Sequence, residues 1–131
     1  MAMSVSKTAS KSGVHPAHAG WQKVVIDWTT DSNGVASDTI NLVGQVQEVV
    51  TIPGSGADMP TGQYDLTLRD PSNANVDYLN GACMNRSSDT VEFAEPLVSS
   101  TTPCCVVGDV VFHVENAGDS KSGRAVFILR N

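Results

Sequence analysis

Two histidines near the start of the chain, His15 and His18, are the residues whose type and spacing first suggest metal binding. A structural zinc site takes four ligands, usually drawn from closely spaced cysteines and histidines. Here Pro16 lies between the two histidines, no third ligand follows nearby, and the surrounding stretch has no apolar periodicity. The sequence therefore predicts neither a structural nor a catalytic metal.

Three cysteines are a second source of possible chemistry: Cys83, Cys104 and Cys105. An odd number does not fit the even count of a secreted disulfide framework, and a bridge between the adjacent Cys104 and Cys105 would be strained. No C-x-x-C spacing offers a zinc site. We predict reduced thiols that pack as small apolar side chains at the entrance of a strand.

The segment "DPSNANVD" brings together Asp70, Asn73, Asn75 and Asp77, a composition that calcium loops share. It departs from the D-x-[DN]-x-[DN]-G pattern, and the closing glutamate of such a loop is missing. Short polar side chains of this kind also hydrogen-bond their own backbone. Asx turns therefore explain the segment at least as well.

No local signature of catalysis marks the chain. The "GSG" before Ala57 has no phosphate-loop context, and no G-x-S-x-G elbow surrounds a serine. His113 falls on the solvent face of a predicted strand. The sequence predicts a protein that is not an enzyme and that has no cofactor.

The composition of the chain argues against two classes of binding partner, nucleic acids and membranes. The formal net charge is -6 and the sequence pI is about 4.7, which argues against a protein that neutralises nucleic-acid phosphates. No window approaches the roughly 20 apolar residues of a membrane helix, and the N-terminus lacks the apolar core of a secretory signal. We predict no nucleic acid, no membrane and synthesis in cytoplasm.

Strands dominate the predicted structure. Period-two alternation is clearest in "WQKVVIDW", "GQYDLTLRD" and "GDVVFHVEN". "DTINLVGQVQEVVTI" predicts two short strands hinged at Gly44, and "AGDSKSG" predicts a long hairpin loop before the last strand. About eight short strands at roughly ten-residue spacing indicate an all-β fold: an antiparallel β-sandwich, a jelly-roll-like fold or a small barrel.

The chain divides at its first tryptophan. Residues 1–20 are polar and lack apolar periodicity, which predicts an extended N-terminal arm. Residues 21–131 form the predicted β-sandwich domain. The arm's candidate contacts to another subunit or to a capsid are Met3, Val5, Lys7, Lys11, Val14, His15 and Pro16.

The last strand is apolar on both faces, since Ala125 to Leu129 contains no polar residue. One sandwich can cover only one of these faces, so the other must meet a loop, the arm or another subunit. We expect association into a homo-oligomer. The candidate oligomer contacts on this strand are Ala125, Phe127 and Leu129.

The whole chain resembles small virion proteins of tailed bacteriophages. The resemblance is carried by "MSVSKTASKSGVHPAHAGW", "VVIDWTTDSNGVASDTINLVGQV", "GQYDLTLRDPSNANVDYLNG" and "GDVVFHVENAGDSKSGRAVFIL". Among such proteins it is most similar to capsid decoration, or cement, proteins. The resemblance implies a β-rich homotrimer on the capsid surface of the virion, made in the host bacterial cytoplasm.

For function, the resemblance implies a structural protein that binds the major capsid protein and stabilises joints between capsid subunits. No catalysis is required for that role. The alternatives are another phage structural component, from the tail tube, head completion or fibre, and a carbohydrate-binding β-sandwich module. Exposed aromatic side chains on a concave face would favour the carbohydrate-binding alternative.

Overall fold

The computed structural model describes residues 2–9 and 20–131, and within residues 2–9 it describes the side chains of Met3 and Ser4 only. The described residues form eight antiparallel strands, which confirms the predicted all-β class. The strands are β1 Ala2–Ala9, β2 Trp21–Thr29, β3 Ala36–Pro53, β4 Asp65–Asp70, β5 Asn73–Asp77, β6 Glu92–Ala94, β7 Cys104–Glu115 and β8 Ser122–Arg130. In the described part of the chain, the single helical element is the 3-10 turn Gly56–Asp58, and no helix is long and apolar enough to cross a membrane.

The strands form one sheet that folds over at β3. The strand order is β1-β2-β8-β3-β7-β4-β5, and β6 pairs with β3 off this path. The first part of β3 pairs with β7, and the second part pairs with β8 and β6. The first layer thus contains β1, β2, β8, β6 and the second part of β3. The second layer contains the first part of β3 with β7, β4 and β5.

The change of partner within β3 follows an irregularity in its backbone. The sequence predicted two short strands hinged at Gly44, whereas the structure has one strand of 18 residues. Gly44 adopts a φ of 136°, and the register shifts between Val46 and Glu48. An extra residue in a strand reverses the alternation of its faces, so Leu42 and Val46 are buried before the shift, and Val49 after it.

The core lies between the two layers, and the predicted alternation located it correctly. The inward side chains of β2, of β4 with the residue before it, and of β7 are all buried: Val24, Ile26, Trp28, Tyr64, Leu66, Leu68, Val110, Phe112 and Val114. Trp28 and Tyr64 place their ring centroids 5.2 Å apart, and Phe112 and Phe127 meet edge to face at 6.3 Å. Burying a large apolar side chain contributes about 1.5 to 3 kcal/mol, so these residues hold the layers together.

The connection between β7 and β8 corrects one prediction. The segment "AGDSKSG" is not a hairpin loop, because β7 pairs with β3 and β4 whereas β8 pairs with β2 and β3. The segment instead crosses from one layer to the other, since Phe112 and Phe127 pack against each other across the core. Thr30 anchors the crossing: its hydroxyl donates to the Gly118 carbonyl at 2.6 Å and accepts from the Lys121 amide at 2.8 Å.

Part of the predicted arm forms the edge strand β1. It pairs antiparallel with β2 from Ala2 opposite Thr29 to Ala9 opposite Gln22, and Met3 packs partly buried against the core. Val5 and Lys7 lie in this strand, opposite Ile26 and Val24. The other candidate arm contacts, Lys11, Val14, His15 and Pro16, lie outside the described residues. The predicted domain boundary after residue 20 stays a prediction.

Candidate interaction surfaces

The outer face of the first layer carries an apolar row that crosses four strands. Val25 lies opposite Val126, Val126 opposite Val50, and Val50 opposite Phe93. We call these four residues the outer row. The valines are half-buried and Phe93 is 68% exposed. The row exists because β2, β8, β3 and β6 bring together positions that are far apart in the sequence.

Charged residues flank the outer row on both sides. On one side Asp27 on β2 lies opposite Arg124 on β8, and the Arg124 Nη2 donates to Asp27 Oδ2 at 3.1 Å. On the other side Lys23 on β2 and Glu48 on β3 both lie opposite Ile128, which separates them. Hydrogen bonding from Arg124 to Asp27 raises the pKa of the guanidinium. The face is therefore apolar along its middle and charged along its margins.

The terminal strand uses its two faces differently from the prediction. Ala125, Phe127 and Leu129 are 0% exposed and lie in the core of their own chain, so they offer no surface to a neighbour. The alternate residues Val126 and Ile128 point outward and are half-buried. A subunit contact made by this strand must therefore use its outward residues, which corrects the three residues named from the sequence.

A second exposed apolar site lies on the outer face of the second layer. Val43 on β3 and Val107 on β7 face each other across the ladder and are 48% and 81% exposed. Beside them is a recess of about 740 Å³. It is lined by Gln22, Asn41, Val43, Gly44, Gln45, Cys105, Val107, Arg130 and Asn131.

The chemistry of this recess is that of hydrogen bonding. Its amide side chains can donate to and accept from hydroxyl or peptide groups. At its margin the Arg130 guanidinium lies 5.6 Å from the centroid of the Trp21 ring, a cation–π contact that covers one face of that ring. The described residues that line the recess include no histidine and no carboxylate side chain that could act as a general base.

The three cysteines differ in how far their side chains are buried. All three are free thiols, as predicted. Cys83 and Cys104 are buried, and burial raises the pKa of the Cys83 thiol to about 12 and also raises that of Cys104. Cys105 is exposed at the recess, so the prediction that all three pack as buried apolar residues is wrong for Cys105.

The acidic turn at β4 and β5 forms Asx turns, as its composition suggested. Asp70 Oδ2 accepts from the Ser72 amide at 3.0 Å, and Asp70 Oδ1 accepts from the Tyr78 hydroxyl at 2.8 Å. Hydrogen bonds from Ser72 and Tyr78 hold the pKa of Asp70 below its usual value. Asp77 accepts from the amides of Leu68 and Leu79 at 3.1 and 3.0 Å. Both carboxylates thus already accept hydrogen bonds from groups of the protein.

His113 is less exposed than its predicted solvent face suggested. Its side chain is 14% exposed, and its Nε2 lies 3.5 Å from Glu115 Oε2. Arg69 reaches the other oxygen of the same carboxylate at 3.3 Å. Burial, together with the charge of Arg69, lowers the pKa of His113. Among the described residues, no group of three or more metal-ligating side chains is assembled here or elsewhere.

The sequence did not point to the outer row. Phe93 lies in the segment "TVEF", and nothing in that segment shows that Phe93 lies opposite Val50. The one local signal was the two-faced apolar character of β8, and the prediction drawn from it named Ala125, Phe127 and Leu129 rather than Val126. Cross-strand register is a long-range property, and a single sequence does not display it.

No protein-family model matches the sequence, and the search of curated proteins returned no match. Among solved structures, the chain is similar to one described as the structural basis for the promiscuous specificity of carbohydrate-binding modules from the β-sandwich superfamily. The identity is 15% and the TM-score is 0.30, over 98% of this chain and 52% of that one. The chain thus spans about half the length of that structure, and a likeness at this level carries no argument about function.

Proposed function

We propose that this chain is a non-enzymatic structural protein of a bacteriophage virion, which binds the major capsid protein and stabilises joints between capsid subunits. The observation that carries the proposal is the presence of exposed apolar side chains on the outer faces of both layers. Phe93 lies on one, and Val43 with Val107 on the other. An isolated monomer gains nothing from such surfaces, whereas a subunit held between several neighbours buries them.

The placement of β1 supports the same role. An edge strand held by its backbone ladder can be stabilised further by a neighbour, because an open edge presents unpaired amide and carbonyl groups. Many weak contacts of this kind, repeated over a shell, resist internal pressure together. The layout of the sequence, which resembles that of decoration proteins, favours a position on the capsid exterior.

A carbohydrate-binding module is the second candidate, and the amide-lined recess favours it. Sugar sites commonly add an exposed aromatic ring for stacking. In this chain Trp28, Tyr64, Phe112 and Phe127 are in the core. Trp21 is covered on one face by Arg130, and the exposed Phe93 belongs to the apolar outer row rather than to the recess. We therefore place the capsid role first.

The decisive experiment is binding to capsid shells of the virus that carries this sequence, prepared without this protein. Sedimentation of the chain with the shells, followed by thermal opening of loaded and bare shells, measures attachment and reinforcement separately. We expect saturable binding and a higher opening temperature. A chain of residues 21–131 should bind more weakly, since it lacks β1 and the candidate arm contacts.

A parallel glycan-binding assay distinguishes the two candidates. Asn41→Ala with Gln45→Ala removes two amides from the recess and leaves the outer row intact. If the chain ignores shells but binds a glycan that this double variant no longer binds, the capsid proposal is wrong and the carbohydrate-binding candidate is supported.

A further inference from the structure

We propose that two copies of this chain pair face to face through the outer face of the first layer, about a two-fold axis that runs along the outer row. This inference does not depend on capsid binding. The partner on this face is a second copy of the same chain, and the contact is two-fold in place of the trimer that the resemblance implied.

The apolar part of the face is suited to self-pairing. In a two-fold contact each residue on the axis meets its own copy. An axis along the outer row brings Val25, Val126, Val50 and Phe93 of one copy onto the same four residues of the other. Phe93 meets Phe93, so the most exposed aromatic side chain among the described residues becomes covered.

The charged flanks select this axis. Rotation about the outer row exchanges the two flanks, so Lys23 of each copy faces Asp27 of the other. The same rotation sets Arg124 over Ile128, next to Glu48, because Ile128 lies opposite Glu48 in the ladder. Opposite charges thus meet along both margins, and such complementarity favours one orientation over others.

The main alternative is an axis parallel to β8. That rotation would place Arg124 directly over Arg124 and Arg130 over Arg130, since both lie on the strand that carries the axis. Like charges in contact oppose association. These two arginine contacts disfavour that arrangement, although Lys23 would then lie over Glu48. Phe93 would lie over β1 and not over its own copy.

The size of the face sets the expected affinity. Three strands of about 30 Å and the three-residue β6 of about 10 Å, at a spacing of about 4.8 Å, give roughly 480 Å² on each copy. The pair therefore covers roughly 960 Å², below the range of stable specific interfaces and typical of weak contacts. We expect a dissociation constant in the micromolar to sub-millimolar range.

The test is analytical ultracentrifugation of the full chain with two reversed charges. Lys23→Glu sets a glutamate over Asp27, and Asp27→Lys sets a lysine over Lys23. Each variant alone should dimerise about ten-fold or more weakly than the natural chain. An equimolar mixture of the two should recover pairing, because the introduced glutamate of one variant then faces the introduced lysine of the other, and the unchanged Asp27 faces the unchanged Lys23. Thermal melts confirm that each variant folds.

Val126→Lys puts a charge on the axis and should abolish the dimer, whereas Val107→Lys is the matched control on the other layer and should leave it unchanged. Several results overturn the proposal: a monomer throughout the sub-millimolar range, a trimer, no recovery in the mixture, or a dimer that tolerates Val126→Lys. It is also overturned if the full chain is monomeric while residues 21–131 dimerise, because the N-terminal residues would then occupy the face.

Discussion

Phe127 sits where the two layers meet, fully buried and edge to face with Phe112. Phe127→Ala removes this contact and leaves a cavity, so the free energy of unfolding should fall by about 3 to 5 kcal/mol. Urea denaturation monitored by tryptophan fluorescence measures the loss. Val107→Ala, at a valine that is 81% exposed, is the control and should change stability by less than about 0.5 kcal/mol. Similar losses in both variants would contradict the assignment of the core.

His113 should make stability depend on pH. Burial, with the charge of Arg69, lowers its pKa below the ordinary 6.5, while Glu115 acts in the opposite direction. The unfolded chain therefore binds more protons than the folded chain, and stability present above about pH 6.5 is lost as the pH falls below it.

His113→Gln removes this titration from both states. Its unfolding free energy should decrease less than that of the natural chain between about pH 7 and 5. Asp70 and Asp89, whose pKa values lie below the usual 3.8, act at lower pH and do not interfere. Parallel stability curves for the two proteins across this interval would show that His113 does not carry the effect.

At the scale of elements, β3 depends on the backbone of Gly44. Its φ is 136°, and a Cβ built there would lie 3.0 Å from the Arg130 carbonyl oxygen. Gly108, on the neighbouring β7, has a φ of 93° with nothing within 4 Å of such a Cβ. Gly108→Ala should cost about 1 to 2 kcal/mol from its backbone conformation alone.

Gly44→Ala should cost more than Gly108→Ala, because it adds a steric conflict with β8 to the backbone strain. Chemical denaturation of both variants under the same conditions gives the comparison. A smaller loss at Gly44 would mean that β3 can shift away from Arg130 without breaking its pairing to β8.

Local alternation predicted β2, β4 and β7 but not which strands lie next to them. The buried faces of β2, β4 and β7 follow from apolar residues at every second position, and the structure bears them out at Trp28, Leu66 and Phe112. Alternation did not predict that β7 and β8 lie in different layers, because two strands with one apolar face can either pair side by side or pack across a core. β1 was missed since its ladder needs an open edge on β2 rather than an apolar pattern of its own.

At the scale of the whole molecule, the candidate surface was less predictable than the core. Residues of the outer row come from positions 25, 50, 93 and 126, and their common row depends on three separate strand registers. Each valine alone is compatible with a core position in a sandwich. The unusual apolar character of β8 on both faces indicated that a second surface existed, but not which residues completed it.

The fold as a whole is held without a covalent bridge, since all three cysteines are free. Reducing agent should therefore leave the melting temperature unchanged, and we expect the same for a chelator, because no metal was predicted from the isolated histidines.

A more discriminating measurement is the number of thiols that iodoacetamide modifies. The reacting species is the thiolate, and burial raises the pKa of Cys83 to about 12 and shields Cys104, so neither should react in the folded chain.

The natural chain should incorporate one label, on the exposed Cys105, and all three cysteines should react after denaturation. Cys105→Ser should take up none while folded and should melt at the same temperature as the natural chain, because its side chain lies at the recess and not in the core. Mass spectrometry of the intact protein gives the count. The Leu66 amide donates to the Cys83 carbonyl at 2.9 Å, so Cys83 lies in the hydrogen-bonded core. Rapid labelling of Cys83 in the folded chain would mean that this part of the core opens far more readily than its packing indicates.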